Sequence, residues 1–296
     1  MELVSGPSTD PLDVSPILGT WWNTNPRTTG LRRVEISRTG DAVTAQVWAA
    51  DSRESERDWG SAPVERTFTD GPASDRVCGY TATFDLGHAR TTLQANMNHG
   101  LTVVAAFTEF TDHSGRLSYL SREFFYRADP AASPSWNGRL DGGDGLAAAR
   151  ADDRLPMLQA PGIDPSPLLH KWRNADEFSD GVAEIHCSRS GGRLVVRVLG
   201  IGSDGPIDWG RTMGTLHTDI SATGGGRAAA EPGTPHYADV SATDAGPAFW
   251  AVYDPGFMRV HLQARINLGV LVVAMFTEFH DDSGRADYFH REVFIR

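Results

Sequence analysis

Short runs in which apolar and polar residues alternate, separated by turn residues, make up most of this chain. In its first half the runs fall at 19–24, 31–38, 42–49, 64–69, 79–86, 89–97, 101–110 and 118–127. Gly30, Thr39-Gly40-Asp41, Gly87, Gly100 and Asp112-His113-Ser114-Gly115 separate them. Val34 and Ile36 oppose Arg33 and Glu35, and Leu93, Ala95 and Met97 oppose Thr92, Gln94 and Asn96. A period of two places successive side chains on opposite faces, so each run predicts a strand with one buried and one wet face.

The pattern then repeats. Residues 92–127 align with 261–296 without a gap, and 21 of the 36 positions are identical. The shared runs include Phe107-Thr108-Glu109-Phe110 with Phe276-Thr277-Glu278-Phe279, and Arg122-Glu123 with Arg291-Glu292. Trp21, Asn23, Gly30 and Asp58-Trp59-Gly60 match Trp172, Asn174, Gly181 and Asp208-Trp209-Gly210. The chain is therefore an internal duplication. It predicts units at 15–127 and 167–296, joined by a Pro/Gly/Ala-rich linker at 128–166 in which 144–158 favours a short helix.

Eight short strands with hairpin connections close most simply into an antiparallel up-and-down β-barrel, which leaves no exposed edge. The expected fold is all-β: two tandem barrels of about eight strands, with a two-sheet sandwich as the alternative. An eight-stranded barrel can hold one small ligand. The formal net charge of -11 weighs against a nucleic-acid partner. No run is long and apolar enough for a membrane helix, and the first residues lack a secretory pattern, so a cytoplasmic location is expected. Cys78 and Cys187, the only cysteines, form neither a disulfide framework nor a metal cluster. No metal or cofactor is implied.

Gly19-Thr20-Trp21-Trp22-Asn23 resembles the Gly-x-Trp opening strand of the calycins, the lipocalin- and avidin-type barrels. The resemblance implies that Trp21 plugs one barrel end near a basic residue of the last strand, Arg122 or Arg127. It also implies a polar ligand contact from Asn23, whose place Asn174 keeps in the second unit. The Asp-Trp-Gly, Phe-Thr-x-Phe and Asp-x-Ser-Gly-Arg runs look like small bacterial barrel domains, a likeness that carries no function.

Candidate chemistry is sparse. Glu109 and Glu278 share a face with Phe107 and Phe276, and if that face lines a cavity each Glu becomes a candidate acid/base. A strand-end carboxylate paired with Arg is the plainer reading. The Arg122-Glu123 and Arg291-Glu292 pairs read as structural ion pairs, and the Asp-x-Ser-Gly runs as hairpin turns. His186, His261 and His290 read as surface histidines. Aromatic and thioether side chains offer cavity walls: Trp48, Tyr80, Phe107 and Tyr119 in the first unit, and Phe249, Trp250, Tyr253, Met275 and Tyr288 in the second.

Three functions stay open at this point. They are a small-molecule binding barrel, a cofactor-independent barrel cyclase or isomerase using Glu109 or Glu278, and a solid structural barrel. The second unit is expected to be the functional one. Where the copies diverge, at Phe249, Trp250, Phe257, Met258 and Met275, it gains apolar volume, and it carries a Gly/Ala/Thr-rich insertion at 214–245.

Overall fold

A computed structural model describes residues 12–51, 55–128, 139–140, 162–220 and 246–296. The expected 144–158 helix and residues 221–245 of the insertion lie outside the described residues. What is described is β throughout, save a 3-10 turn at Ser166–Leu168, and no helix there is long and apolar enough to cross a membrane.

Two compact units carry the strands. The first contains β1 (Gly19–Asn23), β2 (Leu31–Thr39), β3 (Ala42–Ala50), β4 (Ser55–Pro63), β5 (Arg66–Thr69), β6 (Val77–Asp85), β7 (Ala89–Asn98), β8 (Leu101–Phe110) and β9 (Tyr119–Arg127), with a two-residue β10 (Arg139–Leu140) parallel to β4. The second contains β11 (Lys171–Asn174), β12 (Val182–Ser190), β13 (Arg193–Gly200), β14 (Ile207–Asp219), β15 (Gly246–Tyr253), β16 (Met258–Asn267), β17 (Val270–Phe279) and β18 (Tyr288–Ile295).

Within each unit the antiparallel pairings return to the strand they started from. In the second, each strand pairs with the next, and β18 pairs back onto β11. β14 serves two partners: Ile207–Gly214 lies against β13 and Thr215–Asp219 against β15. In the first unit β4 and β5 share that task. The Val64 N–H donates to Val43 O and the Glu65 N–H to Thr81 O, both at 2.9 Å, so the chain passes from β3 to β6 at this bend. β9 then pairs with β1.

Sequence alternation located eight of these first-unit strands but missed β4, whose Ser-Glu-Arg-Asp-Trp-Gly-Ser-Ala-Pro run is largely polar. The Asp-Trp-Gly motif supplies what periodicity does not. Gly60 and Gly210 hold φ of 80° and 89°, and their N–H groups donate to Asp58 and Asp208 Oδ1 at 2.8 and 2.9 Å. The register shifts beside each one, between Gln46 and Trp48 and between Val198 and Leu199. These are β-bulges, which bend a strand, and each lies a few residues ahead of the change of partner.

Each circuit has one face bearing an apolar cluster, its core face. Trp21, Val34, Ile36, Val47, Leu93, Val104 and Phe125 belong to one cluster; Trp172, Ile185, Val196, Leu262, Val273 and Phe294 belong to the other. Because strands alternate in direction, each circuit also has two ends. At one end the indole N–H of Trp21 donates to Ile17 O, and that of Trp172 to Leu168 O, both at 2.9 Å. The Arg127 guanidinium lies 4.8 Å from the Trp21 ring and Arg296 lies 5.3 Å from Trp172. Of the two arginines expected beside Trp21, it is Arg127 that fills the role, and it also donates to Pro16 O. Replacing either tryptophan with Ala removes a fully buried ring and strands a carbonyl. Chemical denaturation of Trp21→Ala or Trp172→Ala should show a loss of about 3–5 kcal/mol; a loss below about 1 kcal/mol contradicts that burial.

Candidate functional site at the far end of the second unit

The expected site residues divide between two faces. Asn23, Tyr80, Tyr119, Asn174, Phe249, Tyr253, Met275 and Tyr288 lie on core faces, in alternation with cluster members of their own strands or as cross-strand partners of them. Trp48, Phe107 and Trp250 lie one residue out of step with Val47, Ala106 and Phe249, and so point the other way. Glu109 and Glu278 share that outward face. Glu278 sits between His261 and His280, with N–O separations of 3.8 and 3.9 Å. The face bearing Phe107 and the two glutamates therefore does not line the core.

The asparagines hold the chain rather than reaching outward. Asn23 Nδ2 donates to Leu31 O and Asn174 Nδ2 to Val182 O, both at 2.7 Å. Their Oδ1 atoms accept from the N–H groups of Asn25 and Asp176.

Beside them, the glutamate of each Arg-Glu pair turns to the core face. Glu123 accepts from Thr28 Oγ1 and from the Leu31 N–H at 2.9 Å. Glu292 accepts from Ser179 Oγ and from the Val182 N–H at 3.4 Å. Hydroxyl and amide donors thus replace the ion pair expected from sequence, and the last strand is tied to the first hairpin. The shared glycine makes room: a Cβ on Gly30 would lie 2.7 Å from both Glu123 oxygens, and one on Gly181 would lie 2.7 Å from Glu292 Oε1. Burial pushes the Glu292 carboxyl above its ordinary range, against the pull of its three hydrogen-bond donors, Ser179, Val182 and Asn174.

His290 is the residue that sequence reading missed. Its cross-strand partner is Met275, fully buried in the second cluster, and it alternates with Phe294, so it faces the core rather than the surface. Both ring nitrogens are buried, and neither has a hydrogen-bond partner among the described residues. The ring stacks on Tyr288, with centroids 5.2 Å apart at 16°, and Tyr288 stacks in turn on Phe279. Burial pushes the His290 pKa down to about 4, while the Asp180 carboxylate works the other way. The ring is neutral at pH 7. Its folded pKa lies below the ordinary 6.5, so its contribution to stability is whole above pH 6.5 and is lost as pH falls toward 4. Burial also raises the Tyr288 and Tyr253 hydroxyls. Tyr253 donates to Val196 O at 2.8 Å.

The loops that follow β11, β13, β15 and β17 lie at this end of the second unit. Four apolar side chains stand exposed there: Phe178 at 88 %, Ile207 at 53 %, Phe257 at 46 % and Ile201 at 38 %. Their counterparts in the first unit are Arg27, Arg57, His88 and Ala50, and the counterpart of His290 is Ser121. These exchanges fall together at one end of the second unit. Elsewhere the chemistry is quiet. Burial raises the Cys78 and Cys187 thiols to about 11 and 12. No metal-holding group of His, Cys, Asp or Glu occurs among the described residues.

No family model matches the chain, and no curated protein or solved structure matches it either.

The packing of Gly181 against Glu292 and His290 can be tested directly. Gly181→Ala drives a methyl into the carboxylate and to 3.3 Å from His290 Nε2. It should cost about 1–3 kcal/mol in denaturant unfolding. A neutral Gly181→Ala variant would mean that the carboxylate is not held there.

Proposed function

We propose that each closed circuit is a β-barrel wrapped round its apolar cluster, and that the second barrel binds an uncharged, partly apolar small molecule at its far end. The observation that carries this reading is His290: an imidazole on the core face whose two buried nitrogens have no hydrogen-bond partner among the described residues. A buried polar group left unpaired costs about 1–3 kcal/mol, a cost that a ligand able to bond it recovers. Stacking on Tyr288 fixes the ring, Met275 supplies an adaptable apolar wall, and the exposed Phe178, Ile201, Ile207 and Phe257 extend that wall outward. The Glu292 and Asp180 carboxylates disfavour an anion. The first barrel, with Ser121 inside and Arg27 and Arg57 at the rim, is the structural copy.

Naphthol, fluorescent and bearing one hydroxyl, is a suitable probe. It should bind the full chain saturably. His290→Phe should weaken binding about tenfold, the loss of one hydrogen bond to a buried partner. Glu109→Gln and Glu278→Gln should leave it unchanged. Absence of saturable binding, or equal affinity in His290→Phe, contradicts the assignment.

A further inference from the structure

We propose that the loop end of the second unit is a docking surface for a basic, amphipathic segment of a partner protein, one that interleaves Lys or Arg with apolar side chains. The proposal uses the loop tips alone and goes beyond the small-molecule site. Four loops lie at this end, 175–181, 201–206, 254–257 and 280–287. Together they hold eight Asp and Glu residues against a single Arg, Arg285, a net charge of -7 out of -11 for the whole chain. That arginine is already engaged, bonded to Asp281 and lying 3.8 Å from the Phe279 ring. The matching loops of the first unit, 24–30, 51–54, 86–88 and 111–118, hold three acidic and three basic residues. Glu177, Asp180, Asp204 and Asp282 are exposed and form no ion pair among the described residues.

The same loops expose Phe178, Ile201 and Phe257, and Ile207 stands exposed at the first residue of β14. Exposed apolar groups set among charges of one sign define what fits. Nucleic acid and anionic lipid are repelled by the carboxylates. A wholly apolar surface would strip water from them without pairing them. A basic segment pairs them, and its apolar residues cover the phenylalanine and isoleucine side chains; a Lys or Arg over the Phe178 ring adds a cation–π contact. Size decides between a segment and a small cation. Loops after alternate strands are about 10 Å apart, twice the spacing of roughly 4.8 Å between neighbouring strands. A small amine reaches one or two of them, whereas a peptide spans the end. Two of the tips are held before any partner arrives: Asp176 accepts from the Phe178 N–H at 3.0 Å and Asp254 from the Gly256 N–H at 3.1 Å, which lowers the ordering cost of binding.

A short labelled peptide of alternating Lys and Leu, titrated with the full chain and followed by fluorescence anisotropy, tests the docking surface. It should bind saturably, and more weakly as salt is raised. Glu177→Lys combined with Asp204→Lys should weaken it about tenfold. Asp41→Lys combined with Glu65→Lys, exposed on the first unit and equal in net charge, should leave the affinity nearly unchanged. Phe178→Ser should weaken binding about tenfold at an unchanged melting temperature, since the ring is 88 % exposed. His290→Phe should bind the peptide as the parent does, which separates this surface from the small-molecule site. Absence of saturable binding overturns the proposal. Equal weakening by the two lysine pairs, or equal affinity for a peptide of alternating Lys and Ser, reduces the interaction to net charge and also overturns it. So does binding to phosphatidylcholine vesicles that is lost in Phe178→Ser, which assigns the tips to a membrane, or a dimer in sedimentation that the same variant dissolves, which assigns them to a second copy.

Discussion

A half-buried carboxylate tied to a hairpin is the contact on which each unit depends. Strands β1 and β11 are short, five and four residues, and end before their neighbours do. Beyond them the circuit is held by Glu123 or Glu292, which bridges from the last strand to the turn that opens the second. Removing the carboxylate from water is unfavourable, and the raised Glu292 pKa expresses that. The hydroxyl and amide donors offset it, and the glycine beside them admits the carboxylate where no side chain would fit. The Asn side chain fixes the same turn from the other side. The Glu, Gly, Asn and hydroxyl positions shared by the two copies are therefore one device, a clasp at the opposite end from the buried tryptophan.

With both ends of the framework fixed, the second unit is free to carry groups that cost stability. His290 occupies the core face directly beside the clasp, where the first unit has Ser121. The neighbouring rim exchanges two arginines and a histidine for Phe178, Ile207 and Phe257. A buried unbonded imidazole and an exposed apolar rim are each unfavourable in a free protein. Together at one end of one copy they are what the proposed ligand would offset, and the scaffold that tolerates them is the part the two copies share.

Much of the framework was legible from residue order alone. Period-two alternation placed the strands, and the internal repeat placed the two units. β4 was not legible because its polar run has little apolar periodicity; its bend comes from the bulge at Gly60, where two residues oppose one, ahead of the passage from β3 to β6 at Val64 and Glu65. The glutamates of the Phe-Thr-Glu-Phe runs are cavity candidates only if Phe107 and Phe276 face inward. Both strands alternate large apolar residues on each face, so the sequence does not separate inside from outside there. His290 was hidden by the same ambiguity in stronger form. In Tyr288-Phe289-His290-Arg291-Glu292-Val293-Phe294-Ile295 the apolar Phe289, Val293 and Ile295 read as the buried set, whereas Val293 and Ile295 are exposed and the polar set faces the core. Only Phe294, fully buried, signals the true phase. The exchange of Ser121 for His290 within an otherwise conservative repeat was the other available signal.

The central claim is that His290 is a neutral, desolvated imidazole inside the second unit. Its titration, followed by nuclear magnetic resonance of the labelled ring in the intact chain, tests this most directly. The structure predicts a midpoint near 4, well below the ordinary 6.5. A midpoint near 6.5, with the free rotation of a solvated ring, contradicts it.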